Sequence, residues 1–303
     1  MPDEMLDRFR RGDRIALARL LSRAARGESL ADVLIRLGPP VKCSRVVAVT
    51  GGAGVGKSTL VGKLIEVIRG GGQTVAVLAC DPQSPISGGA LLGDRFRMPS
   101  RPEDDGVFIR SLAAAGGRGA VADHLDDMVR LLEAFGFDVV LIETVGAGQG
   151  DTAVRDLADV VVLLLQPETG DDIQWEKAGV LEVADVIVIH KADLPGAASV
   201  EGQVRQTLAL SGGRQPAVLR VSSRTGEGLE SLWQTIRGLP PRRAADHARQ
   251  DLLRLAQEAV AERFGRAEAA GDADLRRIVA DWRAGALDGE RAVAALLRLL
   301  NGN

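Results

Sequence analysis

Between residues 3 and 37 the chain places Leu6, Phe9, Ile15, Leu20, Leu21, Ala24, Val33 and Leu34 among charged residues at roughly helical spacing. Apolar positions three and four apart share one side of an α-helix, so the pattern predicts a helical N-terminal extension. Gly38-Pro39-Pro40 ends it, because proline lacks the N–H that a continuing helix needs. At residue 45 the pattern changes to Arg-Val-Val-Ala-Val-Thr, a β-branched run without polar alternation, as a strand covered on both faces requires. Similar runs recur at residues 74–80, 107–110, 138–143, 160–165, 186–189 and 217–221, with helical stretches between most of them. Parallel neighbours need crossovers of a dozen or more residues, so the alternation predicts an α/β fold with a mainly parallel sheet and helices on both faces. Ligands of such sheets gather at the carboxyl ends of the strands.

After Pro240-Pro241 the strand pattern stops. Residues 242–303 are charged, rich in Ala and Leu and free of proline, with breaks at Gly271 and Gly285, which predicts two or three helices. Their apolar stripe of Leu252, Leu255, Ala256, Ala259 and Phe264 suits packing on the domain and a dimerisation arm about equally. The expected organisation is a helical extension over 1–40, a nucleotide-binding domain over 41–240 and a helical C-terminal arm over 241–303.

Composition narrows the class. A chain of 303 residues, 46% hydrophobic and 26% charged, can bury a full core. Its net charge of -3 provides no global positive field, so nucleic acid is not an expected partner. Met-Pro-Asp-Glu-Met-Leu-Asp-Arg at the start has no apolar core for a signal peptide, and no later apolar run approaches a membrane span. Two cysteines, Cys43 and Cys80, without pairing spacing fit a reducing compartment. A cytoplasmic protein with no membrane partner is expected.

The chemistry begins at Gly51-Gly52-Ala53-Gly54-Val55-Gly56-Lys57-Ser58. This matches G-x-x-x-x-G-K-[ST] in its required setting, directly after a strand and opening a helix at residues 57–69. The glycines let backbone N–H groups turn onto phosphate oxygens, and the helix N-terminus adds partial positive charge. Lys57 would bridge the outer phosphates, and Ser58 would offer its hydroxyl to Mg²⁺. The implied class is a P-loop nucleoside triphosphatase.

A carboxylate at the end of a neighbouring strand must orient the hydrated metal, and Asp138-Val-Val-Leu-Ile-Glu143 supplies Glu143. The following Thr144-Val145-Gly146 gives Glu-x-x-Gly where many GTPases have Asp-x-x-Gly, so Gly146 N–H is placed to sense the γ-phosphate. The strand at 74–80 delivers Asp81 to the same end, and the long glycine-rich connection after it carries Asp94. A connection of that length in a compact domain is usually functional, which makes Asp81 and Asp94 candidates for the metal shell.

His190-Lys191-Ala192-Asp193 follows the strand at 186–189 and resembles the Asn-Lys-x-Asp guanine motif with its first residue changed. Asp193 would accept from guanine N1–H and N2–H₂, whereas adenine would leave that carboxylate unpaired, so GTP and GDP are expected over ATP. Lys191 would lay its stem on the ring. His190 offers one donor and is not expected to reproduce both ends of an amide, which lowers the expected affinity. Ser222-Ser223-Arg224-Thr225-Gly226 resembles the loop whose backbone N–H meets guanine O6.

Four segments together carry a more specific likeness: Ala-Val-Leu-Ala-Cys-Asp-Pro, Gly-Gly-x-Leu-Leu-Gly-Asp-Arg-x-Arg-Met, Phe-Asp-Val-Val-Leu-Ile-Glu-Thr-Val-Gly-Ala-Gly-Gln and Gly-Asp-Asp-Ile-Gln-x-x-Lys. They resemble the MeaB/ArgK/MMAA family, GTPase chaperones of adenosylcobalamin-dependent acyl-CoA mutases. The resemblance implies phosphate binding from Gly51 through Thr59, magnesium roles for Ser58, Asp81, Asp94 and Glu143, and a homodimer formed through the C-terminal arm. It also implies a third switch over residues 166–177, with Lys177 acting when the mutase docks, and a function in gating cofactor loading and guarding the mutase. Ala147 follows Gly146, so no glutamine orients water as in small GTPases, and intrinsic turnover is expected to be slow. Lys177, and less strongly Gln149, are the in-cis candidates for catalysis. Trp175, Glu176 and Gln83 depart from the commonest members, pointing to a mutase other than the methylmalonyl enzyme. The alternatives are a GTPase delivering nickel, for which three widely spaced histidines and no Cys-x-x-Cys offer no visible relay, and a small-molecule kinase.

Overall fold

The computed structural model describes residues 2–40, 42–82, 104–114, 124–145, 151–167, 181, 183–212, 215–242 and 246–301. In chain order the elements are α1 (Pro2–Arg10), α2 (Arg14–Ala25), α3 (Ala31–Leu37), β1 (Arg45–Gly51), α4 (Lys57–Gly70), β2 (Val75–Pro82), β3 (Val107–Ala114), α5 (Leu125–Phe135) and β4 (Val139–Glu143). There follow α6 (Asp151–Leu157), β5 (Val160–Leu165), β6 (Val186–His190), α7 (Ala197–Ser211), β7 (Ala217–Val221), α8 (Leu229–Gly238), α9 (Asp246–Ala269), α10 (Ala273–Arg283) and α11 (Gly289–Asn301). Two compact units result: Met1–Gly27 with Pro39–Ala244, and Glu28–Gly38 with Ala245–Asn303. Among the described residues no helix is long and apolar enough to cross a membrane.

The first unit is built on a seven-stranded sheet of order β3-β2-β4-β1-β5-β6-β7, parallel at every pairing. Its apolar runs lack alternation because both faces are covered. Val47, Val49, Leu141, Val162 and Val188 pack with Leu60, Leu64, Ile68, Trp233 and Ile236, so α4 and α8 share that face. Leu163, Ile187 and Ile189 turn the other way, onto Val200, Val204 and Leu208 of α7. Successive strand side chains point to opposite faces, and this divides each run between two layers.

A repeated device sets the strands' relative positions at their amino ends. Asp138, Asp159 and Asp185 each stand one residue before a strand. Asp138 Oδ2 accepts from Thr74 N at 2.8 Å, Asp159 Oδ2 from Val46 N at 2.9 Å and Asp185 Oδ2 from Val161 N at 2.7 Å. Each carboxylate thus takes the backbone N–H next to the first rung of its neighbour, a donor that the ladder leaves over.

The unit boundary falls inside residues 1–40, where one continuous extension is expected from the sequence. Leu6, Phe9, Leu17, Leu20 and Leu21 are fully buried, α2 packs on α5, and Phe9 meets Phe135 edge-on at 5.2 Å. These contacts tie α1 and α2 to the nucleotide unit. Ile15 belongs to the apolar stripe by spacing but is 59% exposed. Asp13 caps α2 by accepting from Ile15 N and Ala16 N, which places Ile15 in the outward first turn.

The second unit is helical. There α3 packs on α9, α10 packs on α11, and α11 returns to α9. Gly271 (φ 64°) and Gly285 (φ 74°) make the two turns where the sequence predicts breaks. Leu252 and Leu253 of α9 stay 68% and 61% exposed, and Trp282 and Val293 are also exposed, so much apolar surface is left uncovered.

Candidate nucleotide-binding site

β1 lies between β4 and β5, so the loop leaving it emerges at the centre of the sheet's carboxyl edge. Gly51 turns the chain there at φ 145°, and a Cβ on it would come within 2.6 Å of Leu164 O on β5. Glycine is therefore required at that point. Gly56 adopts φ 99° and α4 begins at the next residue, so its first N–H groups face the loop. Lys57 and Ser58 are buried in this first turn. Lys57 Nζ donates to Gly51 O at 2.9 Å and Gly52 O at 3.1 Å, which folds the loop around the ammonium.

Register brings the acid to the same place. Val49 of β1 pairs with Glu143 of β4. Ser58 Oγ then donates to Glu143 Oε1 at 2.6 Å, across 85 residues of sequence. Thr144 Oγ1 donates to Thr50 Oγ1 at 3.0 Å and Thr144 N to Val49 O at 3.1 Å, fastening the ends of the two strands. Ala79 of β2 pairs with Glu143 on the other side, which puts the backbone of Asp81 two residues beyond, at the same edge. Asp81's side chain lies outside the described residues, as do Asp94, Gly146, Gln149, Lys177 and residues 168–177 of the expected third switch.

The end of the site where the sequence predicts the base is formed after β6 and β7. Lys191 takes the left-handed conformation at φ 55°, unusual for a residue with a side chain. Ala192 N donates to Val221 O at 3.1 Å and Leu194 N to Lys191 O at 2.9 Å, closing the turn that presents Asp193. Ser222 Oγ donates to Asp193 Oδ1 at 2.5 Å and Arg224 Nε to Oδ2 at 2.8 Å. Ser222's hydrogen bond, with Arg224 beside it, holds the Asp193 carboxyl below its ordinary value.

His190, the last residue of β6, is 3% exposed. Its Nδ1 lies 2.7 Å from Val55 O and its Nε2 2.7 Å from Ser223 Oγ. Both ring nitrogens therefore have partners within the protein. The physical reason is that a neutral imidazole carries a donor on one nitrogen and an acceptor on the other, spaced to reach two loops. Burial pushes its pKa down, with Lys191 adding to the effect and Val55 and Asp193 opposing it.

These parts enclose a cavity of about 780 Å³ lined by Ala53, Gly54, Gly56, Lys57, Ser58 and Thr59 from the loop and the start of α4, Glu143 and Thr144 at the end of β4, and His190, Lys191, Asp193, Ser223 and Arg224 at the ends of β6 and β7. The size suits a nucleotide. Cys80, Val145 and Leu194 also line it; their only sequence signal is position at a strand's carboxyl end or beside a motif. Gly52, Val55 and Ser222 stand behind the wall as hydrogen-bonding supports. Among the described residues no group of three or more His, Cys, Asp or Glu could hold a metal by itself.

A parallel sheet whose central strand runs through Gly-x-x-x-x-Gly-Lys-Ser into a helix, with an acid from the next strand on that serine, defines a P-loop nucleoside triphosphatase. The family model described as methylmalonyl Co-A mutase-associated GTPase MeaB matches residues 16–268. A Pyrococcus horikoshii protein that bears a GTPase name is 41% identical over 242 residues, 78% of this chain and 76% of that one. GTPase ArgK of Escherichia coli is 35% identical over 246 residues, 77% of this chain and 74% of that one. The crystal structure of an LAO/AO transport system kinase shares the fold at a TM-score of 0.63 and 23% identity, over 99% of this chain and 97% of that one. The chain belongs to the MeaB family, and its enzymatic activity is that of a GTPase.

Proposed function

We propose that the cavity binds GTP with Mg²⁺ and hydrolyses it slowly, and that the change of nucleotide gates adenosylcobalamin loading and protection of a cobalamin-dependent acyl-CoA mutase. The observation that carries the nucleotide part is the Ser58–Glu143 contact of 2.6 Å at the foot of α4. A hydroxyl and a carboxylate oxygen are hard donors of the kind Mg²⁺ takes, and that ion commonly completes its shell with water and substrate phosphates. Bound there, it would neutralise charge gathering on the outer phosphates. Asp81 and Asp94 are the further proposed members of its shell.

The chain's own groups account for the remainder. Lys57 would exchange its bonds to Gly51 O and Gly52 O for the outer phosphates, while the loop N–H groups and the start of α4 hold the phosphate chain. Asp193 would read guanine N1–H and N2–H₂, and Lys191 would cover the base. Gly146 would sense the γ-phosphate. Without a glutamine after Gly146 to orient water, Lys177, with Gln149 secondary, would act once a partner docks. A cation placed on the γ-phosphate is worth on the order of 10³ in rate.

The family description supports the mutase as partner. The exposed apolar residues of α9, α10 and α11 support the arm as a homodimer surface. GTP turnover measured with an adenosylcobalamin-dependent mutase present is expected to accelerate, and the acceleration should disappear in Lys177→Ala. Undiminished stimulation in that variant would remove Lys177 from the mechanism. No response to the mutase would remove the chaperone role and leave the GTPase.

A further inference from the structure

In the Asn-Lys-x-Asp guanine motif the first residue is an amide; here an imidazole stands in its place. We infer that His190 is a positioning residue that ties the phosphate loop to the base loop and makes no contact with the base. This rests on the reading of the cavity as a guanine-nucleotide site and deepens it.

Three observations carry the inference. Val55 O, 2.7 Å from Nδ1, is a carbonyl and can only accept, so Nδ1 bears the proton and donates to it. Nε2 of the neutral ring is then a lone pair, and Ser223 Oγ–H, 2.7 Å away, donates to it. Guanine's outer edge offers N7 and O6, both acceptors. The ring keeps no N–H for either.

The second observation is steric. A Cβ on Gly56 would lie 2.6 Å from His190 Cε1 and 2.7 Å from Nδ1, so the ring occupies room that only glycine leaves at that place. The third is connectivity. Val55 stands two residues before Lys57, and Ser223 follows the Ser222 that holds Asp193. One buried ring thereby spans the groups that grip phosphate and the groups that read the base. Loosening it should weaken the whole nucleotide's binding and leave base discrimination alone.

The test compares GDP and 7-deaza-GDP binding, with Mg²⁺, to native protein, Ser223→Ala, His190→Ala and the double variant. Ser223→Ala deletes one hydroxyl and keeps the ring, so it serves even where His190→Ala folds poorly. Each single variant should lose GDP affinity about tenfold, the scale of a buried hydrogen bond whose partner is left unpaired. The double variant should be little worse than His190→Ala, because both changes break one bridge. The ratio of GDP to 7-deaza-GDP affinity should equal the native ratio throughout, and ¹H–¹⁵N spectra of the native ring should show the proton on Nδ1. GDP affinity unchanged in both single variants would overturn the strut, as would additive losses. A shifted ratio in His190→Ala would make the histidine a reader of N7, also against the inference. Native protein that binds ADP as tightly as GDP would instead remove the guanine reading beneath it.

Discussion

Asp193→Asn isolates the contact proposed to decide which base the cavity takes. Both carboxylate oxygens are held by the protein, Oδ1 by Ser222 at 2.5 Å and Oδ2 by Arg224 at 2.8 Å. Each retains a further lone pair, and guanine presents two adjacent donors, N1–H and N2–H, to receive. A hydrogen bond to a charged acceptor is worth roughly tenfold or more in affinity, so the two together contribute about a hundredfold. The asparagine amide keeps one acceptor and sets its own N–H₂ against guanine N2–H₂. GDP affinity should fall about a hundredfold. XDP, which carries a carbonyl at C2, should gain. The fold should hardly notice, because the Arg224 side chain is 75% exposed and an ion pair of that kind contributes little. The amide oxygen still accepts from Ser222. Calorimetric titration of GDP, XDP and ADP into native and variant protein measures all of this. A GDP loss below threefold, or native ADP binding equal to GDP, would refute the reasoning. The pH limb follows from the ionised form being the reader. Ser222's bond and Arg224 depress the carboxyl below its ordinary 3.8, so guanine binding should persist as pH falls to that value and be lost only below it.

Glu143→Gln keeps the shape that receives Ser58's hydrogen bond and removes the charge, so GTP turnover at low Mg²⁺ should drop by roughly 10–100-fold and recover in part as Mg²⁺ is raised. Phosphate release measured against Mg²⁺ concentration tests it, and identical curves would detach Glu143 from the metal. His190 predicts an acid-side loss of stability. Burial, followed by Lys191, holds the folded imidazole below its ordinary 6.5 against the opposing pull of Val55 and Asp193. As pH falls below that value the unfolded chain takes up the proton first, so stability is whole above about 6.5 and declines until the folded pKa is passed. Denaturation midpoints at roughly neutral and mildly acid pH should differ less in His190→Asn than in native protein; equal differences would show that the ring does not titrate this way.

Much of the fold was legible because its strands are covered on both faces. A run such as Val-Val-Ala-Val permits little else, and the seven predicted runs correspond to the seven strands. The phosphate loop was legible for a related reason, since its glycines answer to local backbone geometry and its lysine and serine stand at fixed offsets from them. The partners of His190 were not legible because they lie 135 and 33 residues away. From sequence it was a donor short of an amide, whereas the fold uses its acceptor as well. The three aspartates before β4, β5 and β6 went unread for the same reason. An Asp ahead of a Val-rich run looks like a solvated turn until the neighbouring strand is known.

The sequence by itself determined which apolar runs become strands, that a helix opens at Lys57, and that Gly51 and Gly56 would turn the chain. These are properties of residues and their near neighbours in the chain. Only the tertiary structure decided that β1 runs between β4 and β5, that residues 1–40 divide between two units, and that Glu143 reaches Ser58 across 85 positions. Strand order and register depend on which apolar faces and leftover backbone donors satisfy one another at long range, and those pairings are set by burial in three dimensions.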